Sequence, residues 1–512
     1  MADLIPSIVT RRLTLRNITE EDGPSIVAWR SDPAVYRYFL DPRPIDLAGH
    51  LAWFRFSYLK NEDRCDWMAW TRDGLPAGVF GIRRENPAST EAEISYILAP
   101  SLRGQGFASE AIQALLTYLS LCWGCQTAAA EIHRDNAASI AFARRQNMEP
   151  ASARDGFVTY RKAIGQPSPV YIRADGNQRI GAGHLMRCLS IADRLRDLGR
   201  PPVFLTGDTA ASGLIQEHGF FALSMDTPYD QMEQELPVLE KVLRNGRPQV
   251  FLADSYFVTK AYLQAVHALV PTVYMDDLDQ AVYPVDGLIN YNIYGGLLDY
   301  SDYEKTGARL LLGPAYAPLR AEFSDIRPRV FSGIRRVLVT SGGTDPMDFI
   351  GRFLAEILGK EAFRDLEYYC VLGRFNQNAD RLRDQFRNEP GIHLLQNVTN
   401  MSDYMKKCDL AISAGGSTLY ELCACGTPTI QYTLADNQLG AARAFSEQGL
   451  IPWAGDIRTD MEESFRVIER EMERLSAPGE WEARTAALQR VVDGRGAGRI
   501  ARALLEIGGQ KG

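Results

Sequence analysis

Two hydrophobic spacings alternate along most of this chain. Residues 170–174 form a short apolar run of strand length that enters a glycine-rich loop. Beyond the loop Leu185, Leu189, Ala192 and Leu195 recur at spacings of four, three and three, the period of an amphipathic helix. Gly199 supplies a helix stop. Further apolar runs at 203–206, 250–254, 272–276 and 287–290 alternate with helical patterns, as in a parallel doubly wound α/β sheet. After a break near 327–333 a second series follows at 336–341, 367–372, 393–395, 410–413 and 429–432. Two such halves predict a cleft with ligands at the carboxyl ends of the strands. Upstream, 91–98 alternates like a strand, and a helix starting near Phe107 carries Ala111, Leu115 and Leu119 on one face. Gly165-Gln-Pro-Ser-Pro169 reads as a linker. The expected domains are 1–165, 169–327 and 328–512, in line with ~150 residues per domain for a chain of 512.

Composition narrows the classes. A net charge of −8 argues against a general nucleic-acid surface. The start, Met-Ala-Asp-Leu-Ile-Pro-Ser, lacks a signal pattern, and no apolar run nears the ~20 residues of a membrane span. The expectation is a soluble cytoplasmic protein with neither nucleic acid nor membrane as partner. Cys122-Trp-Gly-Cys125 has redox spacing but follows an apolar helix and has no second ligand pair, so it reads as ordinary thiols. No two of the six histidines have metal-site spacing, and no metal is expected.

Three loops carry candidate chemistry. Gly181 and Gly183 let the backbone approach a ligand, and His184 opens the helix. The positive end of a helix dipole favours neutral imidazole, a general base for water attack near a phosphate. The bland alternative is a loop glycine pair and a capping histidine. In the second loop Gly415-Gly416 make a turn, and Ser417 or Thr418 opens a helix whose free amides suit a diphosphate. Glu421, one turn in, can accept hydrogen bonds from ribose hydroxyls, and Asn437 and Gln438 follow the next strand. Here the alternative is a well-capped helix with a surface glutamate. In the third loop Arg103-Gly104-Gln105-Gly106-Phe107-Ala108 presents successive amides at a helix start, which suits a pyrophosphate or is a structural turn.

In combination these motifs resemble known families. Gly-x-Gly-His-x-x-Arg, with Arg187 as its last residue, and Ala-Gly-Gly-Ser-Thr-x-x-Glu-Leu resemble the PseG family, the UDP-2,4-diacetamido-2,4,6-trideoxy-β-L-altropyranose hydrolases of pseudaminic acid biosynthesis. Further matches are Ala253-Asp-Ser255, Met275-Asp-Asp-Leu278, Asn290-Tyr-Asn292, the run from Gly313 to Arg320, and Gly342-Gly-Thr-Asp345. The resemblance covers about 169–510 and implies a two-lobed GT-B fold like that of the glycosyltransferase MurG. It implies that His184 activates water against the anomeric carbon, with inversion and without metal. Gly415 to Thr418 would hold UDP, with Glu421 and Asn437 as further contacts. Asp175, Gly181, Gly183, Arg187, Asp254 and Asn292 are expected to bind substrate in the cleft.

Residues 8–163 resemble the GNAT N-acetyltransferases, through Arg103-x-x-Gly-x-Ala108, Asn136-Ala-Ala-Ser139, Arg145-Gln-Asn-Met148 and Arg11 to Arg16. This implies a GNAT fold, acetyl-CoA as co-substrate, Arg103 to Ala108 and Asn136 as cofactor contacts, and Glu93 as base. Two departures stand out. Ala143 sits where a tyrosine acid is common, and Asn147-Met148 replaces Gly-Phe, leaving His133 as a candidate acid or a core residue. Trp29-Arg-Ser-Asp-Pro33 is similar to both PseH, which acetylates a UDP-4-amino sugar, and the RimJ/RimL protein acetyltransferases. The implied whole is a bifunctional nucleotide-sugar enzyme. The alternatives are a MurG-like glycosyltransferase fused to a RimJ/RimL-like enzyme, and a non-catalytic sugar-nucleotide-binding protein.

Overall fold

The computed structural model describes residues 5–165, 168–177, 179–327, 330–373 and 376–509. Residues 166–167 of the expected linker and 328–329 of the expected break lie outside them. The chain forms two compact units. The first runs to Met275 and takes in 280–287 and the residues from Leu504 on; the second comprises 276–279 and 288–503.

The first unit begins with β1 (Ser7–Val9), β2 (Leu13–Asn17), β3 (Arg64–Thr71), β4 (Pro76–Arg84) and β5 (Glu91–Leu98). It continues with β6 (Thr127–His133), β7 (Glu149–Arg154) and β8 (Phe157–Ala163). Strands β2 to β5 pair antiparallel in sequence order. β5 then pairs parallel with β6, but only from Glu91 to Glu93 against Thr127 to Ala129. Beyond Glu93 the two strands part, while β5 stays paired with β4 as far as Leu98. The chain after β5 leads through a glycine-containing loop into α1 (Phe107–Cys122). α2 (Ala137–Arg145) follows β6.

The second half of this unit holds β9 (Val170–Ala174), β10 (Val203–Thr206), β11 (Phe221–Ser224), β12 (Val250–Asp254) and β13 (Thr272–Met275). They are parallel in the order β13-β12-β9-β10-β11. Each is buried along its length or nearly so, as befits a sheet covered by helices on both faces. α3 (Gly183–Asp197) turns Leu185, Leu189, Ala192 and Leu195 into the core, and Gly199 beyond it takes a left-handed φ of 73°.

The sequence gives no sign of how these two halves meet. β1 lies between β2 and β11 and pairs antiparallel with both, joining Ser7 to Ser224 and Ile8 to Leu223. The strands thus form one sheet, β13-β12-β9-β10-β11-β1-β2-β3-β4-β5-β6-β8-β7, across the expected boundary. Three residues are too few for a periodicity signal to mark 7–9 as a strand. The seam is close-packed elsewhere too. The Tyr171 hydroxyl donates to Leu121 O at 2.7 Å, and Gln216 Nε2 to Val9 O at 2.6 Å. In α4 (Leu236–Gly246), a Cβ on Gly246 would stand 2.1 Å from the Tyr171 hydroxyl and 2.8 Å from Leu121 O.

The second unit contains β14 (Gly287–Asn290), whose first residue belongs to the first unit, and β15 (Arg309–Leu312). Its main sheet has β16 (Arg336–Thr340), β17 (Glu367–Leu372), β18 (Ile392–Gln396), β19 (Leu410–Ala414), β20 (Thr429–Thr433) and β21 (Trp453–Asp456). The order is β18-β17-β16-β19-β20-β21, all parallel. The core includes Val337, Phe349, Phe353, Tyr368, Ile412 and Tyr432. α5 (Thr418–Cys425) follows β19 and α6 (Asp436–Glu447) follows β20.

Candidate functional sites

The loop before α1 is shaped by two glycines. Gly104 has φ 79° and Gly106 has φ 82°, a region that favours glycine. No atom lies within 4 Å of a Cβ placed on Gly104, so backbone conformation, not crowding, calls for glycine there. Arg103 to Gly106 are exposed, and the first amides of α1 have no acceptor within the helix. This arrangement fits the pyrophosphate of acetyl-CoA.

Arg12, read from the sequence only as part of a strand, braces this loop. Its guanidinium donates to Gln105 O at 2.9 Å and to Glu110 Oε2 at 2.6 Å, and lies 4.4 Å from the Phe107 ring centroid. Thr10 donates to Glu110 Oε1 at 2.6 Å. Burial acts to raise the Glu110 carboxyl, but Thr10 and Arg12 hold it below its usual range. The partners are some ninety residues apart, beyond the reach of a local motif.

Glu93 is the last β5 residue paired with β6, and it accepts a 2.6 Å bond from Arg83. As a base it must share its carboxylate with that cation. Asn136 caps α2, its Oδ1 accepting from Ser139 N at 3.1 Å, so that oxygen is already in use. Ala143 is buried with Ile132, Met148 and Tyr160 and carries no acid. Asn147 has φ 58°, which explains how asparagine stands where glycine is usual. His133 Nδ1 accepts from Asp135 N at 3.2 Å, and its ring packs edge-on against Phe157. Cys122 and Cys125 are buried free thiols, pushed up by burial to about 12 and about 11, in keeping with ordinary core thiols.

In the second loop Gly181 takes φ 72°, and Asn177 closes the turn by accepting from Arg179 N at 2.9 Å and Ile180 N at 3.1 Å. α3 starts at Gly183, placing His184 in its first turn. His184 is 8% exposed and Asp254, at the end of β12, is fully buried. His184 Nδ1 lies 2.6 Å from Asp254 Oδ1. Arg187, one turn along α3, reaches both oxygens, with Nε 2.6 Å from Oδ2 and Nη2 2.5 Å from Oδ1. Burial would raise the Asp254 carboxyl, but Arg187 and His184 hold it well below the usual carboxylate range. The partly exposed Tyr256 ring stands edge-on to the histidine, centroids 4.4 Å apart.

Asp175 differs from its expected role. It is 4% exposed, with Oδ2 paired to the buried Arg173 and Oδ1 accepting from Gly207 N at 2.8 Å. Glu235 completes that network, 2.9 Å from Arg173 Nε and 2.6 Å from the Tyr262 hydroxyl. Both Asp175 oxygens thus serve the fold, and the strand pattern around Arg173 hid this polar knot.

The second unit brings together the other predicted residues. Gly415 and Gly416 turn the chain from β19 toward α5, with Ser417 at the N-cap position and Thr418 the first helical residue. A Cβ on Gly415 would lie 3.3 Å from Thr433 Cγ2, whereas Gly416 is open. Glu421 accepts from Arg320 Nη2 at 3.2 Å, and Arg320 Nη1 lies 2.9 Å from Glu322. Burial outweighs Arg320 and pushes Glu421 up to about 7, with Glu322 adding to the rise. Asn437 follows β20, as its spacing suggests, and lies exposed in the first turn of α6. Asn292 Nδ2 donates to Asn290 Oδ1 at 2.9 Å and Asp277 Oδ1 at 3.2 Å. The Tyr420 hydroxyl, beside Glu421 in sequence, accepts from Ile293 N at 2.9 Å and so ties α5 to the Asn292 segment. Among the described residues no cluster of three or more histidines, cysteines and carboxylates could hold a metal. No described helix is long and apolar enough to cross a membrane.

Comparison with known proteins defines the class. Residues 12–149 match the acetyltransferase (GNAT) domain, and residues 336–450 match the glycosyltransferase family 28 C-terminal domain. The N-acetyltransferase YoaA of Bacillus subtilis is 30% identical over 27% of this chain, which spans 78% of YoaA. The chain belongs to the GNAT acetyltransferases through its N-terminal third, and it joins that domain to a nucleotide-sugar domain of the glycosyltransferase 28 type.

More particular likenesses lie downstream. The spore coat polysaccharide biosynthesis protein SpsG of Bacillus subtilis is 24% identical over 55% of this chain and 81% of its own length. A Helicobacter pylori protein named as pseudaminic acid cytidylyltransferase and UDP-2,4-diacetamido-2,4,6-trideoxy-β-L-altropyranose hydrolase is 27% identical over 27% of the chain and 24% of its own length. MJ1062 of Methanocaldococcus jannaschii is 26% identical over 53% of the chain, which spans 56% of that relative. The crystal structure of Acinetobacter baumannii MurG aligns over 66% of this chain and all of its own at TM-score 0.50 and 13% identity, which shows a GT-B fold. The C-terminal fold matches the expectation from the strand series.

Proposed function

We propose that this protein is a bifunctional enzyme that acetylates a UDP-4-amino sugar and then hydrolyses the product to UDP and free sugar. The acetyl acceptor is UDP-4-amino-4,6-dideoxy-N-acetyl-β-L-altrosamine, and the second substrate is UDP-2,4-diacetamido-2,4,6-trideoxy-β-L-altropyranose. The working divisions are 1–165 for acetyl transfer, 169–327 for the base, and 328–512 for UDP.

The observation that carries the hydrolase reading is His184 at the start of α3, held through Nδ1 by Asp254. A ring held in that way offers Nε2 to a water. Water loses its proton to Nε2 as its oxygen attacks the anomeric carbon, and the bond from that carbon to the UDP oxygen breaks with inversion. The amides of Gly415 to Thr418 take the diphosphate charge, Glu421 the ribose, and Asn437 and Asn292 further substrate contacts. Acetyl-CoA, bound by Arg103 to Ala108, supplies the acetyl group: the amine nitrogen attacks the thioester carbonyl, the C–S bond breaks and CoA leaves as its thiolate. Glu93 takes a proton from the attacking amine, directly or through water.

The name of the Helicobacter pylori relative supports the sugar assignment. A 31% identity over 26% of the chain to a UDP-N-acetylglucosamine–N-acetylmuramyl-(pentapeptide) pyrophosphoryl-undecaprenol N-acetylglucosamine transferase of Sulfurovum favours a second reading, a glycosyltransferase with an acceptor in place of water. His184→Ala separates turnover from binding: hydrolysis should fall ~10²–10⁴-fold with UDP affinity retained. Normal hydrolysis by that variant would remove His184 as base, and UDP release only with an added acceptor would favour the transferase.

A further inference from the structure

We infer that Asp254 and Arg187 are positioning residues, a clamp that fixes which nitrogen of His184 carries the proton, rather than contacts to the sugar nucleotide. The inference rests on His184 acting as the base. Two bare acceptors do not stand 2.6 Å apart, so the His184 Nδ1 to Asp254 Oδ1 contact holds a proton. With Arg187 donating to both of its oxygens Asp254 is held ionised and cannot supply it, so Nδ1–H donates, and in the neutral ring Nε2 is the lone-pair nitrogen. Arg187 Nη2, 3.1 Å from Nδ1, therefore spends its hydrogen on Asp254 instead.

Arg187 closes the remaining freedom of the carboxylate. Its fork spans both oxygens, and Cys188 Sγ donates to Oδ2 at 3.3 Å. Asp254 is fully buried with every close partner a donor, and it lies in the protein rather than at its surface. A guanidinium never gives up its protons, so the clamp has one stable arrangement of hydrogens. Such a ring is a base before substrate arrives, with no tautomer change to make during reaction.

Asp254→Asn tests this because one end of an amide must donate. Arg187 donates at both ends, leaving Cys188 Sγ or His184 Nδ1 as acceptor. The imidazole nitrogen is the better acceptor, so the amide nitrogen turns to His184 and drives its proton onto Nε2. The readout is side-chain ¹⁵N NMR of the full chain with labelled histidine, His184→Gln assigning the signal, beside steady-state hydrolysis. We expect protonated Nδ1 in the unsubstituted protein and protonated Nε2 in Asp254→Asn, with kcat down ~10²–10⁴-fold and KM within about threefold. Asp254→Glu, which keeps the carboxylate, should recover at least tenfold of that loss.

Protonated Nε2 with a bare Nδ1 in the unsubstituted protein overturns the inference without any variant, so a variant that fails to fold does not shelter it. A large rise in KM at constant kcat also overturns it, because Asp254 would then bind substrate. The expected tautomers in a protein that hydrolyses no UDP-sugar would leave the clamp standing and defeat the hydrolase reading.

Discussion

With Glu421 as the proposed ribose contact, one side chain ties nucleotide binding to pH. Burial beside Glu322, only partly offset by Arg320, raises its carboxyl to about 7. The fold thus favours the protonated form over an ordinary value of 4.5. The favourable contribution of that proton is complete below 4.5 and is lost as pH rises through 7. Ribose hydroxyls prefer the ionised form, so UDP binding draws the proton off. UDP affinity measured by calorimetry should rise between pH 6 and 8, and Glu421→Gln should flatten the rise. An equal slope in both proteins would show that another group is responsible. At the other site Arg12→Ala should weaken CoA binding about tenfold, ~1.4 kcal/mol, and leave hydrolysis of pre-acetylated substrate unchanged. Equilibrium binding and a UDP-release assay check the two parts separately. The positions of His184, Glu421 and the glycine loops at helix starts were legible because they lie in local spacing. Arg12, the Asp175–Arg173–Glu235 knot and the Asp254 clamp depend on partners brought together by folding, and spacing carries no trace of them.

Among elements, the helix starts hold most of the proposed site residues, and their glycines differ in kind. Gly106 and Gly181 need left-handed backbone, whereas Gly415 needs room beside Thr433. Gly106→Ala should cost ~1–2 kcal/mol locally and lower CoA affinity, since alanine resists that conformation. Thermal unfolding with and without CoA measures both effects; an unaltered affinity would separate the loop shape from binding. The strand periodicity located β9, β10, β12, β14 and β17 and came within a residue or so of β13, β16 and β18 to β20, because apolar runs in covered parallel sheets are distinctive. It missed β1, β11, β15 and β21, three or four residues each, where no period can register, and it did not mark β3, β4, β6 or β7, the longer strands of the acetyltransferase half.

At the scale of the molecule, the acetyltransferase strands and the His184 strands share one sheet through β1. Cutting the chain between them would open the β11 edge and bare the packing around Tyr171. Residues 168–512 alone should aggregate or lose hydrolysis, while the full chain unfolds the two halves in one transition. Saturating CoA should slow amide exchange in β10 and β11 if they belong to the same cooperative unit. Separate transitions, with CoA protecting only the loop and α1, would show a looser seam.

The most direct test of the bifunctional account supplies the purified protein with the UDP-4-amino sugar, with and without acetyl-CoA, and follows CoA and UDP by mass spectrometry. The account predicts CoA release followed by UDP release, and no UDP without acetyl-CoA. UDP release from pre-acetylated sugar without any acetyl transfer would keep the hydrolase and assign the first domain another acceptor. Release of neither CoA nor UDP, from either sugar, would contradict the sugar assignment itself.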